Sequence, residues 1–346
     1  MARRYKAPKL PSWGAIFQRS VATMTRQGMR AGQSAMASVV KQAVKQTVKQ
    51  TLKQRKPPAG AGQWLQGVAM GAAGMRRYRL YRPPNVKMGE RLPLMVMLHG
   101  CSQDARTFAN STRMNVIAAR ERFMVLYPEQ DRVSNPQGCW NWYDTTGGRA
   151  YAEAGLIMSA IDQATLLYGA DRARIAVVGL SAGASMAALL ASRHPERFKA
   201  VVMHSGIPPG TAHSTMSALG AMHGLRSTKT LAARPLTVVE AWPPLMVIHG
   251  NLDRVVSLHN GHAAVQAWAR ASGARATATR SVQRGTRYAT SVTDYKRKGS
   301  TVATLVEVAR LGHAWSGGAA SEHFSDDKGP DASRMAWTFA SKQFRR

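Results

Sequence analysis

Two cysteines in 346 residues are too few for a disulfide-stapled scaffold, and they lack the companions of a structural zinc site. They leave open one disulfide or two thiols. No apolar run reaches the roughly 18 residues of a membrane-spanning helix, so no transmembrane segment is expected. Acidic residues are scarce, and the scarcity is local. The first is Glu90, while residues 1–89 carry 18 Lys and Arg. Much of the net charge of +30 therefore sits on a basic arm attached to a more ordinary body. The start, "MARRYKAPKLPSWGAIF", lacks the apolar core of a secretory signal, and Arg3-Arg4 lacks the apolar segment of a twin-arginine signal.

What is present divides the chain in two. Residues 1–60 read as a basic, partly helical or disordered extension, and residues 61–346 as the folded domain. Within the arm, "VKQAVKQTVKQTLKQR" repeats every four residues from Val40 to Arg55. On a helix this spacing gives a stripe of Val40, Val44, Val48 and Leu52 beside a stripe of lysines, ended by Pro57-Pro58. Such an arm suits an anionic surface or polymer granule, or else is a solvated tail. No recognised nucleic-acid-binding motif accompanies the charge.

Beyond residue 75 strands and helices alternate. "MRRYRLYRP" reads as an edge strand, "LPLMVMLHG" as a buried parallel strand, and residues 108–121 as a helix. "FMVLYPEQ", "RIAVVG", "FKAVVMHSG", "PLMVIHG", "TSVTDYKR" and "ATLVEVARL" read as further strands, with helices at 151–168, after residue 181, at 258–271 and at 331–344. Residues 206–242 lack clear periodicity and read as a lid or insert. The alternation predicts an α/β fold: a mostly parallel sheet with helices on both faces.

The chemistry begins at "GLSAG", residues 179–183, which matches G-x-S-x-G between an apolar strand and a small-residue helix. The glycines relieve crowding at a strained strand-to-helix turn that exposes Ser181. A serine hydroxyl needs a base to take its proton. The order serine, acid, histidine points to Asp253 in "HGNLDRVV" and His313 in "LGHAWSGG". His99 and His249 end strands and read as structural, bonding turn backbone. Backbone donors for a developing oxyanion come from Ala182 and from Cys101 or Ser102. Trp140, Trp142 and Tyr143 in "GCWNWY", with Trp315 beside His313, are candidates to wall a substrate cleft. The His and Cys spacing implies no metal, and the triad needs no cofactor.

Together "HGCSQD", "YPEQ", "GCWNWY", "GLSAGASM", "HSGIPPG", "GHAWSGG" and "GPDASR" make the chain resemble the polyhydroxybutyrate depolymerase-type esterases. These α/β-hydrolases are related to feruloyl and acetylxylan esterases. The resemblance covers roughly residues 75–340. It implies a Ser181-Asp253-His313 esterase acting on polyester or its oligomers, with feruloyl or acetyl esters of plant polysaccharide as the alternative substrates. It further implies a Cys101–Cys139 disulfide. Typical members are secreted, which implies an extracellular enzyme; without a recognisable signal peptide, a cytoplasmic one is the alternative. A rival of another class is a granule- or surface-binding protein whose hydrolase body is vestigial.

Overall fold

The computed structural model describes residues 57–225 and 242–345. Residues 1–56 of the basic arm, with the Val40–Arg55 repeat, lie outside the described residues, as does the 226–241 part of the expected insert. The compact unit runs Pro57–Arg346.

Its centre is one twisted sheet. The parallel strands are β3 (Leu92–Leu98), β4 (Met124–Pro128), β5 (Ala170–Leu180), β6 (Ala200–His204), β7 (Leu245–Gly250) and β11 (Ser300–Val308). They lie in the order β4-β3-β5-β6-β7-β11. On one side the sheet is extended by β2 (Gly74–Arg82) and β1 (Gln63–Gly71), antiparallel to it. On the other it is extended by antiparallel β10 (Thr290–Arg297), against which β8 (Arg275–Ala276) and β9 (Arg280–Val282) pair.

The apolar runs explain the layering. Every residue of β3 is buried, and its alternate side chains enter different cores. Leu94, Val96 and Leu98 join α3 (Arg149–Tyr168), α4 (Ala182–Arg193) and α6 (Leu258–Ser272) on one face. Met95 and Met97 join α1 (Ala105–Thr112), α2 (Met114–Glu121) and α7 (Ala332–Gln343) on the other. A strand with period-2 side chains and no polar face needs cover on both faces, which two helical layers supply here.

The structure corrects two expectations. The 75–84 segment is no edge strand, because β1 pairs with β2 along its whole length, from Gln63↔Arg82 to Gly71↔Gly74. Within β1, Gly67 lies under Tyr78, where a Cβ would approach the ring to 2.2 Å; only glycine lets the two strands meet there. The helix expected over 108–121 is two helices, broken at Arg113, whose φ of 52° is left-handed. Asp104 starts the first by accepting the Thr107 amide at 2.7 Å. The described part of the 206–242 segment contains α5 (Thr215–Met222), opened by a Ser214–Ser217 capping box. Among the described residues no helix is long and apolar enough to cross a membrane.

Candidate active site

Four of the parallel strands deliver the candidate residues at their carboxyl ends, where ligands bind in open α/β sheets. Ser181 follows β5 with φ 55° and ψ −121°, a conformation that strains any residue with a Cβ. The tight turn needs both flanking glycines. A Cβ on Gly179 would lie 2.2 Å from Gly183, and one on Gly183 would lie 2.1 Å from the Leu98 carbonyl. Close approach of α4 to β5 and β3 thus lifts the serine to the sheet edge. The Ser181 amide donates to the His204 carbonyl at 2.9 Å, which pins the turn to β6.

β7 and β11 are neighbours, paired up to Gly250↔Val308, so the loops that leave them emerge side by side. His313 Nδ1 donates to Asp253 Oδ2 at 2.8 Å. The Asp253 Oδ1 atom accepts the Val255 and Val256 amides at 3.0 and 2.8 Å. The carboxylate side chain is fully buried and the imidazole about a tenth exposed. Burial alone would raise the Asp253 pKa; the His313 hydrogen bond and charge, with the Val256 amide and His249, outweigh it and hold the carboxyl below its ordinary value. Asp253 is therefore an anion that fixes the imidazole with its proton on Nδ1. Nε2 remains as the nitrogen that can accept a proton.

At this carboxyl edge the amides of Ala182, the first residue of α4, and of Cys101 have no hydrogen-bond acceptor among the described residues. Ser102 does not qualify, because its amide donates to the Gln137 carbonyl at 2.8 Å. That bond and the Cys101–Cys139 disulfide stitch the loop after β3 to the 131–148 loop. Closing a separation of 38 residues stabilises by about 4 kcal/mol in the chain-entropy picture. Cys139→Ser is expected to lose about 2–4 kcal/mol of unfolding free energy, measured by denaturant titration. Equal stability with and without reductant would contradict it.

The aromatic residues divide. Trp140 and Trp315 have no exposed surface and are not cleft walls. The Trp140 indole N–H donates to the His99 carbonyl at 3.0 Å, and that of Trp315 to Ser333 Oγ at 3.1 Å. Burying a large ring is favourable when its one polar atom finds an acceptor, and both rings do. Trp142 is buried as well, edge-on to the partly exposed Tyr143 at 5.7 Å. Of the four, Tyr143 has the most surface to offer a substrate.

His99 and His249 do bond turn backbone. His99 Nδ1 bonds to the Gly100 carbonyl at 2.8 Å and His249 Nε2 to that of Val256 at 2.9 Å. His204, behind the elbow, accepts the Ser316 amide on Nε2 at 3.1 Å. Burial depresses all three pKa values, to about 4 for His99 and about 3 for His204. Unfolded, each would titrate near 6.5. Below that pH the unfolded chain takes up protons that the folded one refuses. Stability should therefore fall with pH from about 6.5 towards 4, each histidine contributing up to about 1.4 kcal/mol per pH unit. Thermal midpoints across this range test it; a flat profile would count against neutral buried histidines. Among the described residues no group of three or more His, Cys, Asp or Glu is placed to hold a metal.

Sequence reasoning missed Gln130, Asn141 and Glu153. Glu153 is 4% exposed on the sheet-facing side of α3. An acidic residue in the apolar spacing of "RAYAEAGLIMSAI" was the available signal.

The family described as Esterase PHB depolymerase matches residues 76–290, more than half of the chain. Poly(3-hydroxyalkanoate) depolymerase C of Paucimonas lemoignei is 33% identical over 138 residues, covering 39% of this chain and 33% of that protein. The chain thus spans about a third of the depolymerase it matches. Feruloyl esterase B of Neurospora crassa is 25% identical over 227 residues, 60% of this chain and 75% of that protein. An acetyl xylan esterase from Aspergillus awamori shares the fold at a TM-score of 0.60 and 20% identity, covering 73% of this chain and 94% of that one.

Proposed function

Since the chain belongs to the esterase PHB depolymerase family, we propose that it is a serine ester hydrolase acting through Ser181, His313 and Asp253, and that its substrates are poly(3-hydroxyalkanoate) polyesters or their oligomers. The observation that carries the catalytic assignment is the buried Asp253–His313 pair, made by neighbouring strands at the same sheet edge as the Ser181 turn.

In this reading Ser181 Oγ attacks the ester carbonyl while His313 Nε2 takes its proton. The tetrahedral oxyanion is held by the amides of Ala182 and Cys101, at the N-terminus of α4 and the end of β3. His313 then gives the proton to the departing alkoxide, leaving an acyl-serine. Water, deprotonated by the same nitrogen, releases the acid. Asp253 stays ionised throughout and stabilises the imidazolium.

The polyester assignment is supported by the family match and by the depolymerase relative. A second reading, hydrolysis of feruloyl or acetyl esters on plant polysaccharide, is favoured by the longer coverage of the feruloyl esterase. Hydroxybutyrate oligomers, feruloyl sugars and acetylated xylan offered to the same enzyme separate the two. Polyester as substrate requires kcat/KM to be highest on the oligomers and to rise with their length. Preference for feruloyl or acetyl sugars would assign the enzyme to polysaccharide esters.

A further inference from the structure

We infer that Glu153, far along the sequence from every catalytic residue, is a positioning residue of the oxyanion hole, aiming the Cys101 amide through Asn141 and Gln130. The inference rests on Cys101 being one of the two oxyanion donors.

The N–H of Cys101 and the carbonyl of Gly100 belong to one peptide plane, so whatever fixes that carbonyl fixes the direction of the N–H. The Gly100 carbonyl accepts His99 Nδ1 at 2.8 Å and the Gln103 amide at 3.3 Å. His99 can donate from Nδ1 because its Nε2 accepts the Gln130 amide at 3.0 Å, which sets the tautomer. A second hold reaches Cys101 by its side chain, through the disulfide to Cys139. The Cys139 carbonyl accepts Gln130 Nε2 at 3.0 Å. Both holds therefore meet at Gln130.

Glu153 orders that junction. Its Oε1 accepts Gln130 Nε2 and Asn141 Nδ2, each at 2.6 Å, and its Oε2 accepts the Asn141 amide at 2.9 Å. No ion pair to this carboxylate exists among the described residues, although Arg76 lies within electrostatic reach. A buried carboxylate is costly unless its lone pairs are filled, and three N–H donors fill these. Packing does not explain the choice of residue. Glutamine has the same shape, but its amide nitrogen would confront one of those donors, and a half-satisfied buried network loosens. Acceptor-only chemistry at this position ties the "CWNWY" loop to β4 and to the turn that carries Cys101.

The test is Glu153→Gln, assayed on p-nitrophenyl butyrate and on its thiono counterpart. Sulfur accepts hydrogen bonds poorly, so oxyanion donors accelerate the oxygen ester far more than the thionoester. The expected result is a kcat on the ester lowered about tenfold or more, KM within about twofold, and a clearly smaller loss on the thionoester. Gln130→Met, which removes the bond to Glu153 from the opposite partner together with the Gln130 bonds to the Cys139 carbonyl, Arg76 and the Asp131 amide, is read in the same way and stands in if the first variant does not fold. Equal losses on both substrates, or no loss on either, would overturn the role. Wild-type enzyme with no preference for the ester over the thionoester would instead overturn the oxyanion assignment beneath it.

Discussion

Ser181→Ala lowers ester turnover by about five to six orders of magnitude and leaves the fold intact. The size follows from the cooperative character of a serine triad: without the nucleophile, only binding and oxyanion stabilisation remain, worth about 10³–10⁴ over water. The intact fold follows from the geometry. No hydrogen bond from the Ser181 hydroxyl exists among the described residues, while its backbone amide, which alanine retains, bonds the His204 carbonyl. Alanine is as strained as serine at φ 55°, so the melting midpoint should barely move. Ser181→Gly removes that strain and should be equally inactive but more stable, by about 1 kcal/mol. Initial rates on a short p-nitrophenyl ester, with calorimetry on both variants, check these outcomes together. Turnover within tenfold of wild type in Ser181→Ala would remove the catalytic assignment.

Asp253→Asn should lower kcat by about 10⁴-fold with little change in KM. The asparagine oxygen can still accept the Val255 and Val256 amides, so the loop keeps its shape. Its NH₂ group then meets the His313 Nδ1–H, and two donors cannot share that contact. The imidazole resolves the conflict by moving its proton to Nε2, the nitrogen that has to accept the serine proton. The side chain is fully buried, so bulk solvent does not reach it as a substitute acceptor. A loss below tenfold would mean that another group fixes the tautomer, and His249, 3.5 Å from the same carboxylate oxygen, is the first to examine.

The catalytic candidates were legible because each sits beside a strong strand signal. Runs such as Leu92–Leu98, buried throughout, and Leu245–Gly250, buried except at the partly exposed Met246, show no polar face. The G-x-S-x-G spacing is enforced by contacts of about 2 Å that a side chain could not survive. What the sequence concealed depends on long-range pairing. Strand β1 alternates weakly, with exposed Val68 and Met70, and owes its place to full-length register with β2. Arg113 breaks a helix at a left-handed φ that glycine or asparagine usually marks. Trp140 and Trp315 lie in motifs around the site, and only their distant acceptors, the His99 carbonyl and Ser333 Oγ, reveal them as core anchors. Ser102 and Cys101 are adjacent and equally plausible donors until Gln137 is brought against one of them.

The pairing of β7 with β11 has a consequence for how this chain can be altered. Asp253 and His313 are set by two strands that touch in space, although they are 60 positions apart along the chain. The intervening β8, β9 and β10 are appended outside β11, and residues 283–286 of the connection from β9 to β10 are solvent-exposed. Peptide inserted there lengthens the path from acid to base without moving either terminus of it. For a laboratory wishing to graft an affinity tag or a second domain internally, this outer meander is the place where the distance along the chain and the distance across the site are independent.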